Sequence, residues 1–124
     1  MLNILLITTR GENLRAFVEG ISEDPQVRLE QAAAAAQALE RVRTAAPHLV
    51  IVDSTTEGLD WLEVVRRIIG VNAMANTAVV SSLSDADFHD RGEGLGILCR
   101  LPPAPGAEDA KSLLEKLRGL TGAV

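Results

Sequence analysis

The spacing of apolar residues changes along the chain in a regular way. Leu2 to Ile7 is an apolar run broken only by Asn3, which predicts a strand. Leu14, Phe17, Val18 and Ile21 then recur at i, i+3, i+4 and i+7, the stripe of an amphipathic helix. Val27 and Leu29 alternate with Arg28 and Glu30, as in a strand with one wet face. Ala35, Leu39, Val42 and Ala46 repeat at helical spacing. The alanine run Ala32 to Ala36 reads as the start of that helix, and Pro47 stops it. Leu49 to Val52 predicts a strand that is apolar on both faces. Leu62, Val65 and Ile69, with Trp61 and Ile68 beside them, form a third helical stripe opposite Asp60, Glu63, Arg66 and Arg67. Ala78 to Val80 predicts a fourth strand running out into Ser81 and Ser82. Ser84, with Asp87 three residues later, marks the start of a short polar helix whose one large apolar residue is Phe88. Ile97 to Leu101 predicts a fifth strand. Ala110, Leu113, Leu114 and Leu117 predict a fifth helix that stops near Gly119.

Strand and helix thus alternate five times, which predicts a parallel sheet with right-handed crossovers and helices on both faces. Strands covered on both faces read as continuous apolar runs. The first, third and fourth do so. The second alternates and the fifth carries Arg100 in its middle, which places both at the edges. The expected fold is α/β: a flavodoxin-like (βα)5 three-layer sandwich with strand order 2-1-3-4-5.

Composition narrows the function. A chain of 124 residues suits one domain, 1–124, with no output domain after it. Hydrophobic residues are 47%, too many for a disordered chain. No apolar run is long enough to cross a bilayer. No basic n-region or cleavage pattern marks a secretory signal. The single cysteine, Cys99, has no internal disulfide partner, which points to the cytoplasm. A net charge of −5, with no tyrosine and one tryptophan, argues against nucleic acid as a partner.

In a doubly wound sheet, ligands bind beyond the carboxyl ends of the strands at the switch point between strands one and three. Thr8, Thr9, Arg10 and Gly11 follow strand one. Asp53 ends strand three, before Ser54, Thr55 and Thr56. Ser81 and Ser82 follow strand four, and Leu101 and Pro102 close strand five.

These residues, and above all the stretch Pro47 to Ile69, make the chain resemble the response-regulator receiver (CheY-like) domains of two-component signalling. The likeness covers essentially the whole sequence. It implies that Asp53 is the equivalent of the phosphoacceptor and that Ser81 or Ser82 is the equivalent of the switch hydroxyl. It also implies an acidic pair for Mg²⁺ after strand one and a lysine before the proline after strand five. Here Thr8 and Thr9 stand at the acidic positions, Arg10 follows them, and Leu101 takes the place of the lysine. Mg²⁺ is normally held by one or two carboxylates plus phosphate oxygens, so Asp53 alone is a poor site. Phosphoryl transfer depends on positioning and charge neutralisation, and both cations are missing. The expected state is a degenerate receiver with no metal and no cofactor. Its Asp53 is expected to pair with Arg10 through a bidentate contact that lowers the Asp53 pKa.

Other features have plainer readings. Thr8 and Thr9 suit caps of the first helix. Gly92, Gly94 and Gly96 lack the dinucleotide-fingerprint spacing and read as a flexible loop. Pro102 to Gly106 reads as a rigid loop. His48 and His89 have no second histidine at ligand spacing. Cys99 reads as a small apolar residue. Trp61 either fills the loop near the site or stands exposed as a contact.

Three functions remain open. The first is a stand-alone receiver-like interaction module, not an enzyme, that meets a histidine kinase or another signalling protein. It would also form a homodimer through the fourth helix, fifth strand and fifth helix. The second is a working phosphoacceptor phosphorylated on Asp53. The third is a flavodoxin-like small-ligand binder, for which the aromatic residues are few.

Overall fold

The computed structural model describes residues 1–121. Five strands form one parallel sheet in the order β2-β1-β3-β4-β5. They are β1 (Leu2–Ile7), β2 (Val27–Ala32), β3 (Leu49–Asp53), β4 (Asn76–Val80) and β5 (Cys99–Leu101). The helices are α1 (Arg15–Ser22), α2 (Ala35–Ala45), α3 (Trp61–Val71), α4 (Asp85–Gly92) and α5 (Ala107–Thr121).

Strand side chains point alternately to the two faces, and each face has its own core. Ile4, Leu6, Leu49 and Ile51 pack with Phe17 and Ile21 of α1 and Leu113 and Leu117 of α5. Leu5, Ile7, Val50 and Val52 pack with Val42 of α2, Val65 and Ile68 of α3, and Phe88 of α4. β3 sits in the middle and is buried over its whole length. The helices α1 and α5 cross closely at Gly20, where an added Cβ would lie 3.0 Å from the Ala110 Cβ and 3.1 Å from the Ala107 Cα.

Several boundaries differ from the sequence expectation. Ala32 ends β2 as a buried strand residue, and α2 begins at Ala35. Alanine is at home in either element, and the ladder with Ile7 of β1 claims Ala32. Ala46 lies just outside α2 in the left-handed region, at φ 44°, and turns the chain into Pro47. In α3 the buried residues are Val64, Val65 and Ile68, whereas Leu62 and Ile69 flank them. β4 starts two residues early, at Asn76, and β5 starts two residues late, at Cys99. Helix α5 continues through Gly119 to Thr121; a glycine weakens a helix but does not end one. As read from sequence, Ser84 caps α4, its side chain accepting from the Asp87 N–H at 3.1 Å.

Candidate functional site

Asp53 is the last residue of β3, at the carboxyl edge of the sheet, and its side chain has no exposed surface. A buried carboxylate must find hydrogen-bond donors in place of water. It finds five. Oδ2 accepts from the Thr8 hydroxyl at 2.7 Å and from Arg10 Nε at 2.9 Å. Oδ1 accepts from Arg10 Nη2 at 3.1 Å, the Thr55 hydroxyl at 2.7 Å and the Thr55 N–H at 3.1 Å. The last of these is an Asx-type turn, in which an aspartate side chain binds the backbone two residues on.

Arg10 lies in the loop after β1 and grips the carboxylate with two N–H donors, Nε and Nη2, along one edge of its planar fork, a bidentate geometry that is among the strongest for this kind of pair. Its Nη2 also donates to the Pro103 carbonyl at 3.1 Å, in the loop after β5. The loops after β1 and β5 and the end of β3 therefore meet on one guanidinium. Burial pushes the Asp53 pKa up, but bonds from Arg10, the Thr55 hydroxyl, the Thr8 hydroxyl and the Thr55 N–H outweigh it. The carboxyl is held below its ordinary value.

The threonines do not cap α1. Its N-cap position is Leu14, with no side-chain cap bond. Thr8 instead accepts from the Arg10 N–H at 2.9 Å while donating to Asp53, because four intervening residues separate Arg10 from the helix. Thr9 is exposed, and its N–H donates to the Thr56 hydroxyl at 3.4 Å.

Ser81 is buried, and its hydroxyl accepts from the Leu83 N–H at 3.1 Å. Its carbonyl accepts from Arg100 Nη1 at 3.0 Å, and Arg100 Nε pairs with Asp85 at 2.8 Å. Ser82 is exposed. Leu101 is an apolar core residue packed on the α1–α5 side of the sheet. Trp61 is half-buried and stacks on Phe88, with ring centroids 4.9 Å apart, so it fills the space over the short α4. Burial raises the Cys99 thiol pKa, with Lys116 opposing and Asp109 adding to it, which disfavours the reactive thiolate.

The structure thus brings Thr8, Arg10 and Asp53 together and leaves Ser82 and Leu101 outside that cluster. Two contributors to the cluster had no role assigned from sequence, Thr55 and the Pro103 carbonyl; Arg100, also unassigned, holds the Ser81 carbonyl instead. An aspartate followed two residues on by threonine is a readable turn signal. The Pro103 carbonyl carries no such signal, since any residue offers one.

These residues do not fit a magnesium ion. Asp53 supplies the cluster's single carboxylate, its oxygens are engaged by five donors, and a fixed cation already lies against it. Among the described residues, no three His, Cys, Asp or Glu side chains gather as a metal site.

No family model matches the sequence, and no curated protein does. Solved structures match it closely in fold. A response regulator from Thermotoga maritima has 18% identity and a TM-score of 0.83, over 96% of this chain and 98% of that one. A CheY-like response regulator receiver domain protein from Methanospirillum hungatei has 14% identity and a TM-score of 0.82, over 100% and 99%. The N-terminal domain of an uncharacterized protein from Wolinella succinogenes has 22% identity and a TM-score of 0.81, over 99% and 98%. The fold of this chain is that of the response-regulator receiver domain.

Proposed function

We propose that the chain is an atypical receiver-like module of two-component, phosphorelay signalling that works through protein–protein contacts, with Mg²⁺-dependent phosphorylation of Asp53 impaired. The observation that carries this reading is the two-bond pair between Arg10 and Asp53. To attack phosphorus, a carboxylate oxygen must present a free lone pair, and the incoming dianion needs cations placed around it. Here the oxygens accept five hydrogen bonds, and the nearby cation is spent on the carboxylate itself.

On this reading the protein is not an enzyme and its location is the cytoplasm. Its partner is a histidine kinase or another signalling protein, met through the face formed by α4, β5 and α5; the same face would serve a homodimer. The charge of −5 disfavours nucleic acid as an alternative partner. No described helix is long and apolar enough to cross a membrane.

The test is to incubate the protein with acetyl phosphate and Mg²⁺ and weigh it. The expected result is an unchanged mass. A stoichiometric gain of one phosphoryl group, absent from Asp53→Ala, would overturn the reading and make Asp53 a working phosphoacceptor.

A further inference from the structure

A second group of polar side chains gathers toward the amino end of the sheet, away from Asp53. Strand register builds it. Asn3 and Leu5 of β1 stand beside Arg28 and Glu30 of β2, and alternate residues of a strand share one face, here the face under α2. Helix α2 adds Arg41 and, one turn on, Ala45. Arg41 donates from Nε to Glu30 Oε2 at 3.0 Å and from Nη2 to Glu30 Oε1 at 2.8 Å. These bonds hold the Glu30 carboxyl below its ordinary value; desolvation opposes them, and the charges of Arg41 and Arg28 add to them. One arginine thus already matches Glu30. Arg28 is a second cation, and among the described residues it has no ion-pair partner. Asn3 makes its hydrogen bonds to His48 through its backbone, which leaves its side-chain amide without a partner among the described residues.

These groups line a cleft of about 210 Å³. Leu5, Ala45 and Pro47 give it an apolar wall. Ala45 is the last residue of α2 and offers only a methyl group, and Ala46 then turns the chain at φ 44° into Pro47, so the helix end does not fill the space. The lining carries two arginines against one glutamate, an excess of one positive charge on a chain whose net charge is −5. Arg41 is held in place by Glu30, which lowers the ordering cost of meeting a ligand.

We propose that this cleft binds a small organic carboxylate. The carboxylate accepts from the Arg28 guanidinium and the Asn3 amide, and a short apolar body lies against Leu5, Ala45 and Pro47. Each part of the lining selects this class. The planar arginine fork matches a carboxylate, and one excess positive charge suits a monoanion. The volume lies below the roughly 300–1,000 Å³ of sites for drug-sized ligands, which limits the body to a few carbon atoms. Apolar walls with a few convergent polar groups are the general form of a small-molecule site. The cleft shares no residue with the Asp53 cluster, so the inference goes beyond the proposed function and stands or falls separately from it. It gives an interaction module a place where a metabolite-sized anion can act.

The isotope-labelled full chain is titrated at constant ionic strength with butyrate, butylammonium and inorganic phosphate, and backbone amide signals are followed by NMR. Butyrate is expected to bind saturably, with a Kd of about 1–10 mM, and to move the signals of Asn3, Arg28, Arg41 and Ala45. Butylammonium and phosphate are expected to leave them in place. Arg28→Gln is expected to weaken butyrate binding at least about ten-fold, the cost of one charge-assisted contact. Arg28 is exposed and unpaired, so the variant keeps its fold, as circular dichroism would verify. Ala45→Leu keeps both arginines, suits a helix end and fills the cleft; it is expected to abolish binding. Arg66→Gln removes an equally exposed, unpaired cation from α3 and is expected to alter affinity less than about two-fold. Absence of saturable shifts at these amides, or unchanged binding in Arg28→Gln or Ala45→Leu, would remove the cleft from the account. Equal weakening by Arg66→Gln would reduce it to overall charge. Binding of phosphate or butylammonium at the same residues as tightly as butyrate would replace the ligand class. Any of these results overturns the inference, and none of them bears on the acetyl phosphate test of Asp53.

Discussion

A carboxylate with no exposed surface stays ionised only if its surroundings replace the water it has lost. At Asp53 the replacement is one guanidinium, two hydroxyls and one backbone N–H. The folded pKa lies below the unfolded one, because these donors prefer the anion. Such a group adds stability above its unfolded pKa, and that contribution drains away as pH falls through the folded value. Arg10→Ala is therefore expected to lower stability by about 2 kcal/mol near neutral pH, the order of cost for leaving a buried charged group short of a partner. The gap between variant and parent should narrow once the pH falls below the ordinary carboxylate value of 3.8. Urea denaturation at pH 7 and at pH 3 measures both gaps, and equal gaps would contradict the assignment. The Arg10–Asp53 pair was legible in the sequence because topology alone places the ends of β1 and β3 side by side. Thr8 was read instead as a helix cap. A threonine after a strand suits either role, and only the distance to the helix start decides between them.

At the scale of elements, the contact between α1 and α5 depends on the missing side chain of Gly20. An added methyl meets both the Ala110 side chain and the Ala107 backbone, and the backbone yields little. Gly70, exposed on α3, has nothing within 4 Å of an added Cβ. Gly70→Ala is expected to stabilise the protein by about 0.5–1 kcal/mol through helix propensity. Gly20→Ala gains the same propensity but overpacks the crossing, for a net loss of about 1 kcal/mol. Denaturation midpoints of the two variants should move in opposite directions. A rise for Gly20→Ala would mean that the two helices part at little cost. Element identities were legible from periodicity, but some boundaries were not. The run Ala32 to Ala36 has no polar–apolar contrast, so nothing local divides strand from helix; hydrogen bonding to β1 sets that limit. Gly119 misled because one glycine weighs less than the apolar stripe of α5, anchored by Leu113, Leu114 and Leu117.

At the scale of the molecule, strand order was legible because burial on one face or two leaves a direct mark on composition. Leu49 to Val52 could only be central, and the alternating Val27 to Glu30 could only be an edge. The triple contact of Arg10 has a consequence in time. Its partners are Asp53 and the Pro103 carbonyl, the latter 93 residues away along the chain. The Pro103 bond closes only once the first, third and fifth βα units are all in place, so the complete clasp is absent from any transition state that lacks the last strand. Interactions formed that late restrain unfolding and do little for folding. Arg10→Ala is expected to speed unfolding about thirty-fold, the rate equivalent of about 2 kcal/mol, and to leave refolding within about two-fold in stopped-flow measurements. The side chain that plugs the cleft is then also the latch of a finished molecule, guarding its lifetime more than its birth.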